Sequence, residues 1–368
     1  MNVRLKKVLM ETGKEGMFMD AAFRLIDKEI ERGNIPGGAA VIGAGGKVYE
    51  YSAGYAVCTE HDNIAAVMDT IYDCASLTKV VVTLPLLLIC LEKGLARLDD
   101  PVAYFLPKFA ERGKDGITLK QLATHTSGLA PYYNMHSEGW TRETILDFIL
   151  GLETEYVPGS SMAYSDLGFI LLGEIVARLL DMPLHEAAER YVFEPLGMND
   201  TMYRPQAGLK PRIAATEYVE RLSAYRWGSV HDENAGAMGG VSGHAGLFST
   251  ARDIARYCEI WLKRERRDVL SPASKAAAVA NCTKHIPGAS RGLGWVLKND
   301  VWDASGDLYS AHSFGHTGFT GTSLWIDPNR DLYAVLMTNR VHFGRDKSIA
   351  RLRACFHNAA AAECVRKC

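Results

Sequence analysis

Apolar residues recur at helical spacing near the start of the chain, within MFMDAAFRLIDKEIERGNIPG, and the repeat stops at a Gly/Pro cluster. The repeat comprises Phe18, Ala22, Leu25, Ile26 and Ile30. The pattern then changes to that of strands. GGAAVIGAGGKVYEYSAGYA predicts two short strands joined by a turn at Gly45-Gly46. The chain is therefore predicted to begin with a helix followed by a β-hairpin.

The stretch from Ser76 to about Ala280 has a mainly helical pattern. Three of its helix starts carry capping residues, namely Thr118 with Gln121, Thr250 with Asp253, and Ser271 before Pro272. LGFILLGEIVARLL, residues 167–180, is apolar on nearly all faces, which predicts a buried helix. Residues 199–246 show little periodicity, and long irregular segments in compact proteins often shape a binding site.

The end of the chain returns to a strand pattern. GLGWVLK, the segment around HTGFTG, GTSLWID and RDLYAVLMTN each predict a strand, and the last two form a hairpin over residues 327–330. A closing helix is predicted from Lys347 to about Ala361. Two strands at the front of the chain and three or more at its end are best satisfied in one antiparallel sheet.

These elements predict an α/β (α+β) fold in which an antiparallel sheet is flanked by the terminal helices. We predict that residues 1–65 and 285–368 together form the sheet subdomain. Residues 66–284 are predicted to form an inserted, mainly helical subdomain, with the active site between the two.

Composition restricts the classes of partner. The chain is 48% hydrophobic and 23% charged with a net charge of -2, so neither nucleic acid nor an anionic membrane is predicted as a partner. The most apolar segment, VVVTLPLLLICL, is too short to span a bilayer and contains Pro85. The basic start of the chain lacks the apolar core of a signal peptide, and eight scattered cysteines without a Cys-x-x-Cys pair indicate reduced thiols. We therefore predict a cytoplasmic protein, and the sequence leaves its oligomeric state open.

Neither a nucleotide cofactor nor a metal is indicated. VIGAGG looks like the start of a dinucleotide-binding loop, but Val48 stands where the last glycine of Gly-x-Gly-x-x-Gly is required. The strand-like KVYEY then follows where a helix is required. The eleven histidines form no His-x-x-x-His or His-Glu-x-x-His pattern, so a zinc site has little support.

One Ser-x-x-Lys match, Ser76 to Lys79, stands at the start of the apolar run. The spacing alone is weak support for chemistry, because about one such match is expected by chance at this composition. If a helix begins near Ser76, Lys79 lies on the same face and its ammonium reaches the Ser76 hydroxyl. The apolar run predicts that Lys79 is buried, which favours the neutral form that a proton acceptor needs. The alternative makes Ser76 a helix N-cap and Lys79 a solvated first-turn residue.

Two further motifs follow in order, Tyr164-Ser165-Asp166 and His316-Thr317-Gly318. Together with Ser76-x-x-Lys79 they resemble the motif set of the serine β-lactamase and penicillin-binding-protein superfamily. The tyrosine motif is similar to that of the class C β-lactamase branch, which includes D-alanyl-D-alanine carboxypeptidases and family VIII-type esterases. Segments such as EKGLARLDDPVAYFLP, ITLKQLATHTSGL and GHAGLFSTARDIARY resemble that branch in the same order, from about Ile35 to Asn339.

The resemblance implies a role for each motif position. It makes Ser76 the acylated nucleophile and Tyr164 a proton shuttle between Ser76 and the leaving group, with Lys79 lowering the pKa of the phenol. The sequence leaves open which of Lys79 and Tyr164 is the base. The resemblance also implies an oxyanion hole made by the N–H groups of Ser76 and Phe319, and such donors are typically worth ~3 kcal/mol each.

Two positions depart from the family pattern. Asp166 stands where Asn usually holds an amide of the substrate, and a carboxylate accepts hydrogen bonds but donates none unless protonated. It either pairs with Lys79 or caps the helix that follows. His316 stands where Lys is usual, and a histidine near neutrality carries only part of a charge with which to attract a substrate carboxylate. Thr317 and Gly318 fit a strand edge that a substrate backbone approaches closely.

We therefore expect a serine hydrolase that forms an acyl-enzyme on Ser76 and hydrolyses a small-molecule ester or amide. Asp166 and His316 place carboxylesterase-like activity first, D-amino-acid peptidase activity second and β-lactamase activity third. The alternatives are a class C β-lactamase proper and a non-catalytic, penicillin-binding-like module that binds a ligand. Retention of Lys79 beside Ser76 argues against the non-catalytic module.

Overall fold

The computed structural model describes residues 19–137, 139–262 and 269–365. Its α-helices are α1 (Asp20–Glu31), α2 (Leu84–Glu92), α3 (Val102–Phe105), α4 (Leu119–Ala123), α5 (Arg142–Gly151), α6 (Asp166–Leu179), α7 (Leu184–Ala188), α8 (Glu194–Leu196), α9 (Glu233–Ala237), α10 (Ala251–Glu259), α11 (Pro272–Val279) and α12 (Ala350–Val365). Its strands are β1 (Gly37–Ala44), β2 (Lys47–Cys58), β3 (Asn63–Ala65), β4 (Tyr72–Asp73), β5 (Met202–Tyr203), β6 (Tyr218–Val219), β7 (Ala224–Tyr225), β8 (Leu247–Ser249), β9 (Val296–Leu297), β10 (Phe314–Thr317), β11 (Ser323–Asp327) and β12 (Leu332–Thr338). The predicted helical position Phe18 and the basic start of the chain lie outside the described residues.

The largest sheet among the described residues has seven antiparallel strands in the order β3-β2-β1-β12-β11-β10-β9. β1 pairs directly with β12, so the first and last strands of the chain are neighbours inside the sheet. α1 and α12 pack against each other, while α10 contacts β1 and β12. The predicted α/β (α+β) fold, with an antiparallel sheet flanked by the terminal helices, is confirmed.

Both faces of the sheet are buried. Successive side chains of a strand point to opposite faces, and the core residues of β12 divide accordingly. Ala334 and Leu336 pack with the side chains of α1 and α12. Tyr333, Val335 and Met337 pack instead with the helical middle of the chain. Because both faces are covered, the strand reads as a continuous apolar run rather than as an alternating one.

The predicted hairpin at the front of the chain is present. Gly45 and Gly46 have φ angles of +54° and +80°, and left-handed backbone at both positions is what the tightest hairpin turn requires. VIGAGG therefore belongs to β1 and its turn. The strands on either side are longer than the short ones predicted.

The helices in the middle of the chain begin where the capping residues predict. Thr118 and Gln121 form a reciprocal capping box on α4. Thr250 accepts a hydrogen bond from the Asp253 N–H on α10, and Ser271 caps α11 in the same way. α6 is buried along most of its length, as predicted.

Two elements at the end of the chain differ from their predictions. Of GLGWVLK, only Val296 and Leu297 form a strand, because Gly292 to Trp295 make a tight turn with Gly294 at φ +70°. The last helix begins at Ala350 rather than Lys347, since Arg340 bonds the carbonyls of Arg345 and Lys347 and holds that segment outside the helix.

The predicted division into a sheet subdomain (1–65 with 285–368) and a helical subdomain (66–284) stays a prediction. Six cysteines of the described residues, Cys58, Cys74, Cys90, Cys258, Cys282 and Cys355, are free thiols. No helix in that part of the chain is both long enough and apolar enough to span a membrane.

Candidate active site

Ser76 lies where a short strand meets the start of a helix. β4 pairs with β8, and Ala75 then takes a φ of +45°, which is uncommon for a residue with a side chain. The Ala75 N–H donates to Asp73 Oδ1 at 2.8 Å and so fixes this turn. The Lys79 N–H donates to the Ser76 carbonyl at 3.1 Å, which places Ser76 at the first turn of the helix.

Lys79 is completely buried, and its ammonium is held by three oxygens. Its Nζ donates to Ser76 Oγ at 2.9 Å and to the His244 carbonyl at 3.1 Å. It also forms an ion pair with Asp166 Oδ1 at 2.7 Å. The alternative in which Lys79 is a solvated first-turn residue is therefore wrong.

The charge state of Lys79 differs from the prediction. Burial lowers the pKa of Lys79, but the Asp166 carboxylate and the Tyr164 phenol raise it further, so its pKa lies above the ordinary value. The prediction that burial makes Lys79 neutral is wrong, because the sequence does not show how closely Asp166 approaches it. Lys79 is an ammonium in the resting site.

Tyr164 stands across from Ser76 and Lys79. Both side chains lower the pKa of its phenol, and its ring centroid lies 4.9 Å from Lys79 Nζ. Burial raises the pKa of Tyr164 and outweighs the lowering by Lys79, so the phenol is protonated at rest. The expected lowering by Lys79 is thus present but is not the larger effect.

His125 fixes the loop that carries Tyr164. Its ring lies 4.4 Å from the Tyr164 ring, and its Nδ1 accepts a hydrogen bond from the Ser165 N–H at 3.0 Å. Ser165 in turn donates to the Ala130 carbonyl and caps α6 by accepting from the Gly168 N–H. These contacts hold Tyr164 at the start of a buried helix.

Asp166 is the first residue of α6, directly after the capping Ser165. Of its two predicted alternatives, the ion pair with Lys79 is the one present, and the helix-capping alternative is wrong. The carboxylate therefore forms an ion pair with the same ammonium group that bonds Ser76.

His316 is buried on β10, with its ring 5.9 Å from that of Tyr164. Its Nδ1 donates to the Thr317 carbonyl at 2.9 Å. Burial, together with the charges of Lys79 and Arg291, holds the pKa of His316 well below its usual value. The expected partial charge is therefore wrong, and His316 is neutral at physiological pH.

Thr317 stands at an open strand edge. β9 pairs with β10 only through Phe314 and Gly315, so the edge is uncovered from His316 onward.

The structure gives Gly318 a different reason to lack a side chain from the predicted approach of a substrate. A Cβ there would lie 2.1 Å from Thr322 Oγ1 and 2.5 Å from the Cys74 carbonyl, so the close approach is within the protein.

Phe319 follows at the mouth of the site and is 48% exposed. Its carbonyl accepts a hydrogen bond from Arg340 Nε at 2.8 Å, and the Arg340 guanidinium lies over its ring. The Gly318 carbonyl, which belongs to the same peptide as the Phe319 N–H, accepts from Arg353 Nη2 at 2.6 Å.

These residues surround a cavity of about 630 Å³. Seven of the residues predicted from the motifs line it, namely Ser76, Tyr164, Asp166, His316, Thr317, Gly318 and Phe319. Lys79 is not itself in the lining but bonds two residues that are, Ser76 and Asp166. The irregular 199–246 segment contributes His231, Asp232, Glu233 and Ala245 to the lining.

Sequence reasoning missed two groups of charged residues at this cavity. Asp232 accepts from His244 Nε2 at 2.9 Å, and His244 Nδ1 is bonded to Ser242 Oγ. Burial opposes the charge of Asp232, but His244 and a backbone N–H hold its pKa below the usual range. The other group consists of Arg291, Arg340, Arg345 and Arg353. Arg291 precedes β9 and the other three lie within residues 340–353, and none of the four belongs to one of the three motifs.

Asp166, Asp232 and His244 bring three metal-ligand atoms within 4.8 Å of one another. The Lys79 ammonium already bonds Asp166 and the His244 carbonyl, and the His244 imidazole is bonded to Asp232. The positive charge that two carboxylates need is thus supplied by the protein, and we assign no metal to this group.

A strand-edged cavity with a serine, a lysine and a tyrosine in mutual contact is the arrangement that the three motifs predict for a serine hydrolase. The chain belongs to the beta-lactamase family, whose model matches residues 22–357. The resemblance drawn from the motifs is therefore confirmed.

Known proteins resemble the chain over most of its length. It is 33% identical to a putative D-alanyl-D-alanine carboxypeptidase of Salmonella enteritidis PT4 over 76% of this chain and 71% of the relative. The fold is similar to that of a class C beta lactamase from Rhodobacter sphaeroides, with a TM-score of 0.71 at 21% identity, covering 95% of this chain and 99% of the other. It also resembles EstCE1, a hydrolase with promiscuous acyltransferase activity, with a TM-score of 0.74 at 22% identity over 94% and 98% of the two chains.

Proposed function

We propose that the protein is a serine hydrolase that forms an acyl-enzyme on Ser76 and hydrolyses it with water. One observation carries the proposal: Ser76 Oγ accepts from Lys79 Nζ at 2.9 Å, and the Tyr164 ring, which lines the same cavity as Ser76, lies 4.9 Å from that Nζ. A nucleophile and its proton acceptor must lie within this reach of each other. The substrate is a small-molecule ester or amide.

In the proposed acylation step the reactive form is the one in which the Tyr164 phenol has released its proton to solvent. Ser76 Oγ attacks the carbonyl carbon, and its proton passes to this phenolate. Lys79 is the weaker candidate for the base because Asp166 keeps its pKa raised. Its ammonium instead stabilises the negative charge that develops on the phenol and the serine oxygen. Tyr164 then gives the proton to the leaving group, and a water repeats the sequence to release the acid.

The N–H groups of Ser76 and Phe319 are proposed to hold the oxyanion. The Phe319 N–H belongs to a peptide whose carbonyl end is fixed by Arg353 at 2.6 Å. In a planar trans peptide the N–H points away from the carbonyl, so this hydrogen bond sets the direction of the N–H. Such preorganised donors are typically worth about 3 kcal/mol each in the transition state.

Esters rank first among the proposed substrates. Asp166 is engaged with Lys79 and has no amide N–H to donate to a substrate carbonyl. His316 is neutral and gives a substrate carboxylate no charge to bind. β-Lactams therefore rank third.

A D-amino-acid peptidase is the second candidate. The Salmonella relative is named a putative D-alanyl-D-alanine carboxypeptidase. Arg340 and Arg353 line the cavity beside Phe319, and no carboxylate of the described residues lies within ion-pairing distance of either guanidinium. A substrate with a free carboxylate would find positive charge there despite the neutral His316.

The test combines covalent labelling with turnover. The protein is incubated with a fluorophosphonate, and the adduct is located by mass spectrometry. A p-nitrophenyl ester, a D-alanyl-D-alanine peptide and a chromogenic cephalosporin then rank the substrates. We expect an adduct on Ser76 and fastest turnover of the ester, with both lost in Ser76→Ala. Binding of a ligand with neither adduct nor turnover would instead favour the non-catalytic module.

Location in the cytoplasm is retained as a proposal. It is supported by the free thiols, since disulfides form and persist in oxidising compartments. Fractionation of cells that produce the protein, with antibody detection, tests it.

A further inference from the structure

Arg291 lies immediately before the turn that leads into β9, and its side chain is completely buried. Its Nε and Nη2 donate to the two oxygens of the equally buried Asp300, at 3.1 Å and 3.2 Å. Its third nitrogen, Nη1, is buried and has no hydrogen-bond partner among the described residues. A buried donor without a partner is costly, so the position asks for an explanation.

The guanidinium of Arg291 faces Tyr164. Its Cζ lies 5.8 Å from the centroid of the Tyr164 ring, and Arg291 lines the same cavity as Tyr164. Asp300 is not among the residues that line the cavity. The guanidinium therefore bonds a carboxylate outside the cavity lining and lies near the Tyr164 ring within it.

Several charged or titratable groups surround the Tyr164 ring. They are Lys79, Asp166, His125, His316 and Arg291, with Asp300 behind Arg291 and Asp303 beside the neighbouring Trp302. Lys79 is paired with Asp166, and Asp303 is paired with Lys298. Neither histidine is charged at neutral pH, because burial and the nearby cations hold the pKa of each well below its usual value.

We propose that Arg291 is a positioning residue for Tyr164, whose guanidinium stabilises the phenolate that accepts the proton of Ser76. The inference rests on the proposed function, because it assigns Arg291 a part in the same proton transfer. It also explains how the site works with a neutral His316. The charge that a lysine would bring to position 316 is supplied from position 291, on a different segment of the chain.

The kinetic test removes the ion pair as a unit. Arg291→Met alone would leave a buried, unpaired carboxylate and risk unfolding, so it is combined with Asp300→Asn, which keeps the acceptor for the Ser290 N–H. Removal of a nearby cation disfavours the phenolate. We expect the rising limb of the pH profile of kcat/KM for a p-nitrophenyl ester to move up by on the order of one pH unit, which is about a tenfold loss at neutral pH.

Asp300→Asn alone gives the opposite prediction. It keeps the guanidinium and removes the charge that balances it, so the rising limb should move to lower pH. A purely structural role predicts that both variants lose activity with no movement of the limb, and that result would overturn the proposal. His316→Lys, added to the double variant, should move the limb back towards the wild-type position.

A second readout does not depend on catalysis. In protein labelled with fluorotyrosine, the 19F resonance absent from Tyr164→Phe reports the ionisation of Tyr164. Its midpoint should rise in the double variant and fall in Asp300→Asn, whereas Arg345→Gln, which removes another cavity arginine, should leave it in place. An unchanged midpoint refutes the role of Arg291 even if Ser76 is labelled normally. Failure of Ser76 to react refutes the proposed function while leaving the titration interpretable.

Discussion

At the scale of single residues, Asp166 acts on the charge of both candidate bases. Its carboxylate raises the pKa of Lys79 and also contributes to the raised pKa of Tyr164. Asp166→Asn removes this effect on either candidate base, so the deprotonated base is populated at lower pH. We expect the rising limb of the kcat/KM profile to move down by about 1 to 3 pH units, the range typical of a charge at this distance. Steady-state kinetics with a p-nitrophenyl ester from pH 5 to 10 measure it.

Asp303→Asn is the matched control for Asp166→Asn. Asp303 lines the same cavity but is paired with Lys298 at 2.9 Å, so its loss should leave the limb within a few tenths of a unit. Asp166→Asn also restores the amide that the family pattern has, and turnover of a chromogenic cephalosporin should rise relative to that of the ester. A limb that stays in place would show that Asp166 does not set the charge of the base.

At the scale of elements, the connection between β10 and β11 is tied to α12 by one side chain. Arg353 Nη2 donates to the Gly318 carbonyl at 2.6 Å and to the Thr322 carbonyl at 3.0 Å. Arg353→Met removes both bonds, and we expect the free energy of unfolding to fall by about 1 to 3 kcal/mol. Because the Phe319 N–H loses its fixed direction, kcat should fall by roughly 10²-fold or more. Urea unfolding and steady-state kinetics measure the two effects.

Arg351→Met is the control on the same helix. Arg351 is exposed, and a surface substitution of this kind should change stability by no more than about 0.5 kcal/mol. Labelling of Ser76 by a fluorophosphonate should slow in Arg353→Met and proceed at the wild-type rate in Arg351→Met. Equal labelling rates in the two variants would show that the hydrogen bonds of Arg353 do not orient the Phe319 N–H.

At the scale of the whole molecule, features that depend on short segments could be predicted from the sequence. Features that depend on contacts between distant segments could not. Helical spacing, capping residues and the Gly45-Gly46 turn are local patterns, and they were sufficient to predict most helices, the hairpin and the antiparallel sheet. The motifs gave the residues that line the cavity. The ion pair of Lys79 with Asp166 joins positions 87 residues apart, and Arg291 lies on a different segment from Tyr164. Charge states depend on such contacts, which is why the predicted charge states of Lys79 and His316 were wrong.

The order of strands also governs how the molecule unfolds. β12 packs Leu336 against the α1 and α12 side of the sheet and Val335 against the helical side, so one strand belongs to both cores. We expect a single thermal transition in which the calorimetric and van't Hoff enthalpies agree. Leu336→Ala should lower the free energy of unfolding by about 2 to 5 kcal/mol. In this variant the midpoint temperature for the loss of Ser76 labelling should fall by the same amount as the midpoint temperature for the loss of helical circular dichroism. Two separated transitions in this variant would mean that the helical side folds independently of the layer formed by α1 and α12.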